Sequence, residues 1–172
     1  PEPRLLSAQL ALKASYIVEE GILSIRGKLT PASYILSPDC HLSGSFAVGA
    51  WFGQAHNGDF VMTLGGYHPR FLPPAHYPQD VPRLAFNWPL SSNLLFKGDL
   101  YFALTGNCLM AGGAFSATYS SGSVRAWFSC AADFLVTFKP FHYDASLSVD
   151  LGASVTIHFF GSHTLSFDAG AD

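Results

Sequence analysis

Charged residues are scarce in this chain of 172 residues. Asp, Glu, Lys and Arg make up 12% of it, about half of the ~25% that is usual in globular domains. The net charge is −3 and no run of basic residues occurs, so the electrostatic footprint of a nucleic-acid-binding protein is missing. A low charge with 49% apolar residues disfavours disorder. It predicts that much of the surface is covered by a partner, by more of the same chain or by lipid.

Cysteine pairs and long apolar runs are absent too. The three cysteines, Cys40, Cys108 and Cys130, are widely spaced and form no CxxC pair, which argues against a structural zinc site and a disulfide framework. They are predicted to be small buried thiols, and Cys130 fits this best because it lies in an apolar alternation. No stretch of about 18 apolar residues occurs, so no transmembrane helix is predicted.

Both ends of the chain suggest a piece of a longer protein. It begins with Pro1 rather than Met, and residues 165–172 continue a strand-like pattern with no turn after it. The length suits one domain of ordinary size. We therefore expect a single β domain over residues 1–172 that is a fragment of a longer chain.

What the sequence has in quantity is alternation with a period of two. Every odd position in 145–159 is apolar, and every even one is small or polar. Alternate side chains of a β-strand point to opposite faces, so this segment has one dry and one wetter face. The same pattern recurs in 124–138, 96–104, 60–64 and 10–18, with turn residues between. It predicts an all-β fold, an antiparallel meander that forms a curved sheet or a barrel.

A weak internal repeat accompanies the meander. Small residues recur near positions 112, 131, 152 and 170. Small residues at mid-strand let a sheet bend or let another layer approach closely. The repeat therefore suits a curved sheet, which is either a barrel or a half-barrel completed by neighbouring sequence.

The meander is interrupted by a segment rich in proline. Five of the eleven prolines fall between residues 65 and 83. Proline lacks the backbone donor that a central strand needs, so a long loop rich in Pro, His and Tyr is predicted over residues 65–89. Long loops in compact domains are usually functional or flexible.

This loop and one later strand junction contain the residues suited to chemistry. Histidine titrates near neutral pH, and a neighbouring carboxylate fixes its tautomer. The candidates for acid–base catalysis are therefore His142, Asp144, His68 and His76. The residues expected to contact a ligand are Tyr67, His68, Arg70, His76, Tyr77, Arg83, His142 and Tyr143. The alternative is structural: the rings pack and their polar tips form hydrogen bonds.

Metal and cofactor sites are not predicted. His68, His76 and His142 show no recognised ligand spacing, and the HExxH, HxH and calcium-loop patterns are absent. No Gly-Lys-Ser/Thr phosphate loop is present either.

Four motifs carry a resemblance to a known family. Together GGYHP (65–69), PPAHYP (73–78), YFALT (101–105) and KPFHYD (139–144) resemble a domain of unknown function found in large, β-rich microbial proteins. The likeness covers roughly residues 60–172. It implies strands throughout and a segment of a much longer chain. The family has no established activity to carry over, and no catalytic residue is transferred.

Three functional hypotheses remain open. The leading one is a β-barrel-like binding or scaffolding module, whose apolar face, roofed by the loop, holds a hydrophobic small molecule or packs against a partner. That partner is the rest of the parent chain or another copy. The second is an enzyme that uses the His and Asp groups in the same cavity. The third is a lipid-facing β-barrel fragment, because its strands of about ten residues alternate apolar and polar positions.

Overall fold

The computed structural model describes residues 4–158 and 162–172, and the chain is all-β. Its only helix in that part is the single 3-10 turn Gln54–His56. The thirteen strands are β1 (Leu6–Ser7), β2 (Leu10–Ile17), β3 (Ile22–Leu29), β4 (Tyr34–Ile35), β5 (Ser37–Ser43), β6 (Ser45–Trp51), β7 (Phe60–Leu64), β8 (Leu84–Pro89), β9 (Leu94–Thr105), β10 (Cys108–Ser121), β11 (Val124–Phe138), β12 (Phe141–His158) and β13 (Ser162–Ala171). No helix of the described residues is long and apolar enough to cross a membrane.

All strands belong to one antiparallel sheet that branches at β9. One edge of β9 pairs with β10, from which the meander continues through β11 and β12 to β13. The other edge is shared by β8, along residues 95–100, and β7, along residues 102–105. Two arms run outward from there, β8–β5–β4–β1 and β7–β6–β3–β2. The sheet does not close, so the predicted antiparallel curved sheet is confirmed and a barrel is not formed.

The proline-rich loop is an excursion between two collinear strands. β7 leaves β9 at Leu64, and β8 rejoins it at Leu84, two residues further along β9. Gly65 makes the exit with φ +75°, and a Cβ there would collide with backbone atoms of β8 and β9. The loop spans residues 65–83, whereas we predicted 65–89. Residues 84–89 form β8 because their apolar residues resume the alternation, and Pro89 lies at the strand end.

The two faces of the sheet differ in charge. Directly paired residues of antiparallel strands point to the same side, so the register assigns each residue to a face. We call the side that carries Tyr101 the loop-side face and the side that carries Leu100 the open face. The charged residues at paired positions all lie on the loop-side face: Lys13, Arg26, Lys28, Lys97, Asp99, Arg125, Asp133, Asp144, Asp150 and Asp168.

Both clusters of buried apolar residues found in the described part of the chain lie on the loop-side face, against the loop. One cluster consists of Tyr101, Ala103, Cys108 and Met110, and the other of Trp51, Val61 and Tyr77. Two loop residues, Tyr67 and Phe71, pack against both clusters. We predicted that the loop roofs the apolar face. This is wrong, because the loop instead covers a short stretch of the opposite face, where alternate residues of β6, β7, β9 and β10 are apolar as well.

The cysteines and small residues take defined places. Cys40 and Cys108 are buried, as predicted, but Cys130 is only half-buried and lies on the open face beside Val149. At two of the recurring small residues, an aromatic ring from the neighbouring strand packs against the glycine. Tyr101 lies against Gly112, and Trp127 lies against Gly152.

Candidate functional site

Asp59, in the connection before β7, fixes the middle of the loop. The Tyr77 hydroxyl donates a hydrogen bond of 2.6 Å to Asp59 Oδ1, and His76 Nε2 lies 2.8 Å from Asp59 Oδ2. The Tyr77 ring stacks on Trp51, and the His76 ring stacks on His56 with 3.7 Å between centroids. The predicted ligand residues His76 and Tyr77 are therefore brought together, and they hold the loop on the sheet.

The electrostatics of this cluster keep Asp59 ionised and Tyr77 protonated. Burial alone would raise the pKa of Asp59, but hydrogen bonds from Tyr77, His76 and the Phe60 N–H outweigh it and lower the pKa. Burial raises the pKa of Tyr77 above its ordinary value, and the hydrogen bond to Asp59 raises it further. The Tyr77–Asp59 hydrogen bond is thus charge-assisted, which makes it stronger than a neutral one.

A second anchor lies where the loop ends. The Arg83 guanidinium sits 3.8 Å above the centre of the Tyr101 ring and donates 3.0 Å to the Gly65 carbonyl. The Tyr101 hydroxyl donates 2.6 Å to Asp133, two strands away. Gly112 pairs with both Tyr101 and Asp133 and leaves room for the ring to cross. Burial and the bond to Asp133 raise the pKa of Tyr101. The contact of Arg83 with the Tyr101 ring is a cation–π interaction, and it packs the end of the loop against the sheet.

Tyr67 and His68 belong to the first part of the loop, and their side chains pack between the loop and the sheet. The Tyr67 hydroxyl donates to the Pro78 carbonyl at 2.9 Å, and burial raises the pKa of Tyr67 to about 12. His68 is 4% exposed, and its Nδ1 accepts a 3.1 Å hydrogen bond from the Arg70 N–H. Its buried Nε2 has no partner among the described residues. Both side chains fill space under the loop.

The third anchor reaches out to β12. Arg70 forms an ion pair with Asp144, and the Arg70 side chain remains 73% exposed. Asp144 lies on the loop-side face opposite Leu135. A pair this exposed contributes little stability, so it links the loop to β12 only weakly.

The predicted catalytic pair of His142 and Asp144 is not formed. Both residues point to the loop-side face of β12, but the side-chain partner of Asp144 is Arg70. No hydrogen bond joins His142 to Asp144 in the part of the chain that the structure describes. Tyr143 points to the open face and is 64% exposed. Tyr143 is therefore on the opposite side of the sheet from the loop, because neighbouring residues of one strand face opposite ways. His142 is on the loop-side face, but no side-chain hydrogen bond joins it to the loop among the described residues.

The pairing that could serve acid–base chemistry is that of His76 and Asp59. It borders an open hollow of about 830 Å³ between the β2–β3 turn and the 3-10 turn. The hollow's lining contains Glu19, Glu20, His56 and His76 but no Ser, Thr, Cys or Lys nucleophile. No group of three or more metal-ligating side chains occurs among the described residues. The contact of His76 with Asp59 explains the position of the loop, and catalysis by His76 stays a prediction.

Sequence reasoning missed four residues that anchor the loop, Asp59, Trp51, Tyr101 and Asp133. Asp59 accepts hydrogen bonds from the loop, Trp51 stacks with Tyr77, and Tyr101 packs under Arg83. Asp133 acts indirectly, because it accepts the hydrogen bond of the Tyr101 hydroxyl. The one available signal was the position of Asp59, a carboxylate directly after the Asn57–Gly58 turn. Pairing across strands 32 residues apart in sequence, such as Tyr101 with Asp133, leaves no local signature.

A concave apolar site lies on the open face. A hollow of about 360 Å³ is lined by apolar residues alone: Ile35, Leu36, Cys40, Phe86, Trp88, Phe96 and Phe115. We call it the Leu36 hollow. Leu36 has φ +64°, which is uncommon for a residue other than glycine, and its N–H donates 2.6 Å to the Leu5 carbonyl.

The comparisons with known proteins give a family and no activity. The model of a family described as "Family of unknown function (DUF6603)" matches residues 1–172. This match confirms the resemblance to a domain of unknown function and extends it to the first 60 residues. No curated protein and no solved structure matches the chain.

Proposed function

The chain belongs to DUF6603, a family of unknown function, and we propose that it serves as a scaffolding module whose open face packs against another protein layer. The observation that carries this proposal is the composition of that face. Across β2, β3, β6 to β13, every charged residue at a paired position lies on the loop-side face.

A single sheet with one apolar face is incomplete as a domain. Stable domains consist of two or more packed layers, because the apolar side of a sheet must be buried against something. The loop supplies a second layer only on the loop-side face. Large apolar side chains of the open face remain accessible, among them Leu147 at 63%, Leu165 at 66% and Phe167 at 64%.

The total surface supports the same view. The chain exposes 11265 Å², whereas a compact monomer of this mass exposes about 8,200 Å². The difference of roughly 3,000 Å² exceeds the ~800 Å² that each partner buries in a standard protein interface. An interface of standard size on the open face would therefore bury part of this excess.

Carbene footprinting tests the proposal, with the loop residue Leu72 as internal reference. Leu72 is 89% exposed and Leu147 is 63% exposed in the isolated chain. If another layer covers the open face, the ratio of carbene labelling at Leu147 to that at Leu72 should be several-fold lower than the ratio of their exposed fractions. Labelling of the two leucines in proportion to their exposures would contradict the proposal, since the open face would then be bare.

The Leu36 hollow supports a second candidate function, the binding of a hydrophobic small molecule. Its volume lies within the range of about 300–1,000 Å³ typical of ligand sites. The absence of polar lining residues favours an alkyl or acyl chain whose polar end stays in solvent. The unusual backbone of Leu36 is a second supporting feature, because strained residues cluster at functional sites.

A fluorescent fatty acid tests this second candidate. Parinaric acid accepts energy from tryptophan, and Trp88 lines the hollow. Leu36→Asn removes the apolar rim, and asparagine tolerates positive φ. We expect about tenfold weaker binding, because a leucine contact is worth roughly 1.5 kcal/mol or more. The matched control is Leu147→Asn, also an exposed leucine of the open face, which should bind the probe as the wild type does. Equal affinity in all three proteins would exclude the hollow as the site.

A further inference from the structure

We infer that a hollow on the loop-side face, where β2 and β3 meet the end of the loop, binds a phosphate monoester. The hollow has a volume of about 290 Å³, and Lys13, Arg26 and Lys28 line it together with loop residues 80–82. We call it the Arg26 hollow. It lies on the side of the sheet opposite the open face, so the inference does not depend on the proposed scaffolding function.

The strand register places the three cationic side chains in one small area. Lys13 of β2 is directly opposite Arg26 of β3, and Lys28 follows two residues later on the same side of β3. Directly paired side chains begin about 4.5–5.5 Å apart, and residues two apart in a strand lie about 6–7 Å apart. Three long side chains that begin this close together can reach one group bound between them.

The pair of Lys13 and Arg26 is unusual for this sheet. Among the paired positions that the structure describes, it is the only one where two charged residues are directly opposite, and both are positive. Like charges directly opposite each other destabilise a sheet. A bound anion would remove this repulsion.

The protein supplies little negative charge at the hollow. The ion pairs of the described residues are Arg70–Asp144 and His76–Asp59, and neither involves the three cations. Asp80 is the one carboxylate among the residues that line the hollow. The lining therefore has three positive charges and one negative charge, which leaves a net charge of +2 for a ligand to balance.

A phosphate monoester matches this charge. It carries about −1.5 to −2 at pH 7 and has three strong acceptor oxygens. An arginine guanidinium binds two such oxygens at once, and lysines act as point charges beside it. A phosphodiester, which carries a single negative charge, matches the lining less well.

The shape of the hollow suits a small group. Small residues lie between and beside the cations, namely Ala11, Ser45 and Ala47, and they leave room above the sheet. The volume of about 290 Å³ is at the lower end of the range of ligand sites. It therefore accommodates a phosphate group and the atoms next to it rather than a large molecule.

Isothermal titration calorimetry with glycerol 3-phosphate, in phosphate-free buffer at about pH 7, tests the inference. Arg26→Gln should weaken binding about tenfold or more, because it removes a charge-assisted contact. Arg125→Gln is the matched control. Arg125 is also an exposed arginine of the loop-side face but lies in β11, outside the hollow, so this variant should bind as the wild type does. Equal losses in the two variants would overturn the inference.

Asp80→Asn should change the affinity in the opposite direction. Asp80 has φ +53°, which asparagine tolerates, so the variant should keep the fold. Removing the carboxylate from the lining should strengthen binding several-fold, because it no longer repels the phosphate. Unchanged or weaker binding would overturn the inference, since the phosphate would then lie elsewhere.

The melting temperature of the free protein gives an independent readout. Lys13→Gln removes the pair of like charges, so it should raise the melting temperature without ligand and also weaken the binding of glycerol 3-phosphate. Circular dichroism confirms that the variant keeps the sheet. A lowered melting temperature would overturn the inference, because the pair would then not lack negative charge.

Vesicle flotation distinguishes two sources of the phosphate monoester, a soluble molecule and a lipid head group. Flotation with phosphatidylcholine vesicles only when they contain phosphatidic acid, and its loss in Arg26→Gln, would assign the head group. Binding of glycerol 3-phosphate without flotation would assign a soluble ligand. A wild type that binds neither glycerol 3-phosphate nor these vesicles would overturn the inference.

Discussion

Two regions of the sheet differ in whether the chain covers them with a second layer. Around β6, β7 and the second half of β9, the chain covers the sheet with its own loop. Among the residues whose burial is described, the clusters of buried side chains, which include Val61 and Met110, are found here. Around β11–β13, the strands are longer, yet no apolar side chain is buried among the residues whose burial is described. Pairing of strands thus gives a sheet in both regions, and only a second layer gives a core.

This difference shows that alternation by itself does not bury residues. Backbone hydrogen bonds satisfy the strands of both regions equally, but the hydrophobic contribution scales with the apolar area removed from water. Three anchors hold the loop in place: Asp59 with Tyr77 and His76, Arg83 with Tyr101, and Arg70 with Asp144. The region of β11–β13 has no such cover from the described part of the chain, and we propose that another layer supplies it.

The two methionines offer the largest contrast between the regions. Met110 is fully buried beneath the loop, and Met62 is 43% exposed on the open face. Met110→Ala should lower the free energy of unfolding by about 2–5 kcal/mol, because it leaves a cavity. Met62→Ala should lower it by less than about 1 kcal/mol. Urea denaturation measures both, and equal effects would show that the loop does not create a distinct core.

Two glycines sharpen the comparison. A Cβ at Gly112 would lie 2.6 Å from the Tyr101 ring, whereas a Cβ at Gly170 would meet nothing nearer than 3.8 Å. Gly112→Ala should therefore push Tyr101 away from Asp133 and cost about 1–3 kcal/mol. Gly170→Ala in β13 should be neutral. Thermal unfolding measures both, and an unchanged melting temperature for Gly112→Ala would contradict the placement of the Tyr101 ring.

Two tyrosine hydroxyls give a smaller contrast. Tyr77→Phe removes the donor to Asp59 and should cost about 1–2 kcal/mol, since the partly buried carboxylate loses a partner. Tyr143→Phe removes a hydroxyl from a side chain that is 64% exposed and should have no measurable effect on unfolding. Limited proteolysis within residues 65–83 should accelerate only in Tyr77→Phe. If both variants resist proteolysis as the wild type does, the Asp59 anchor is unnecessary.

The pH dependence of the loop anchor is the smallest of the expected effects. The folded-state pKa of Asp59 lies below its ordinary value of 3.8. The stabilisation by its ionised form is therefore complete above about pH 4 and is lost as the pH falls through the folded-state pKa. The stability difference between the wild type and Asp59→Asn should shrink as the pH falls from 7 to 3. A difference that is constant or grows with acidity would contradict the lowered pKa.

Much of the fold was predictable because it is written in local patterns. The period-two run at 124–138 became β11 residue for residue, since alternation depends only on the side-chain geometry of a strand. The run predicted at 145–159 lies within β12, which begins four residues earlier at Phe141, and residue 159 is outside the described residues. The proline content of 65–83 identified the loop. Branching at β9 was not predictable, because the pairing of β7 and β8 with one strand is a long-range event.

The site was less predictable than the fold. The sequence indicated the right loop residues, but it suggested His142 and Asp144 as a pair, and the structure gives Asp144 to Arg70. Asp59 and Tyr101, which hold the loop, lie outside the segment that composition singled out. The loop covers the face that carries the fully buried residues Val61, Thr63 and Met110. Only the register of the strands shows that these residues lie opposite the open face.

Hydrogen–deuterium exchange tests the central claim most directly, because it follows both regions in one sample. If only a second layer gives a core, amides of β9 and the start of β10, beneath the loop, should exchange more slowly than amides of β11 in residues 124–138. Equal protection in the two regions would contradict the claim.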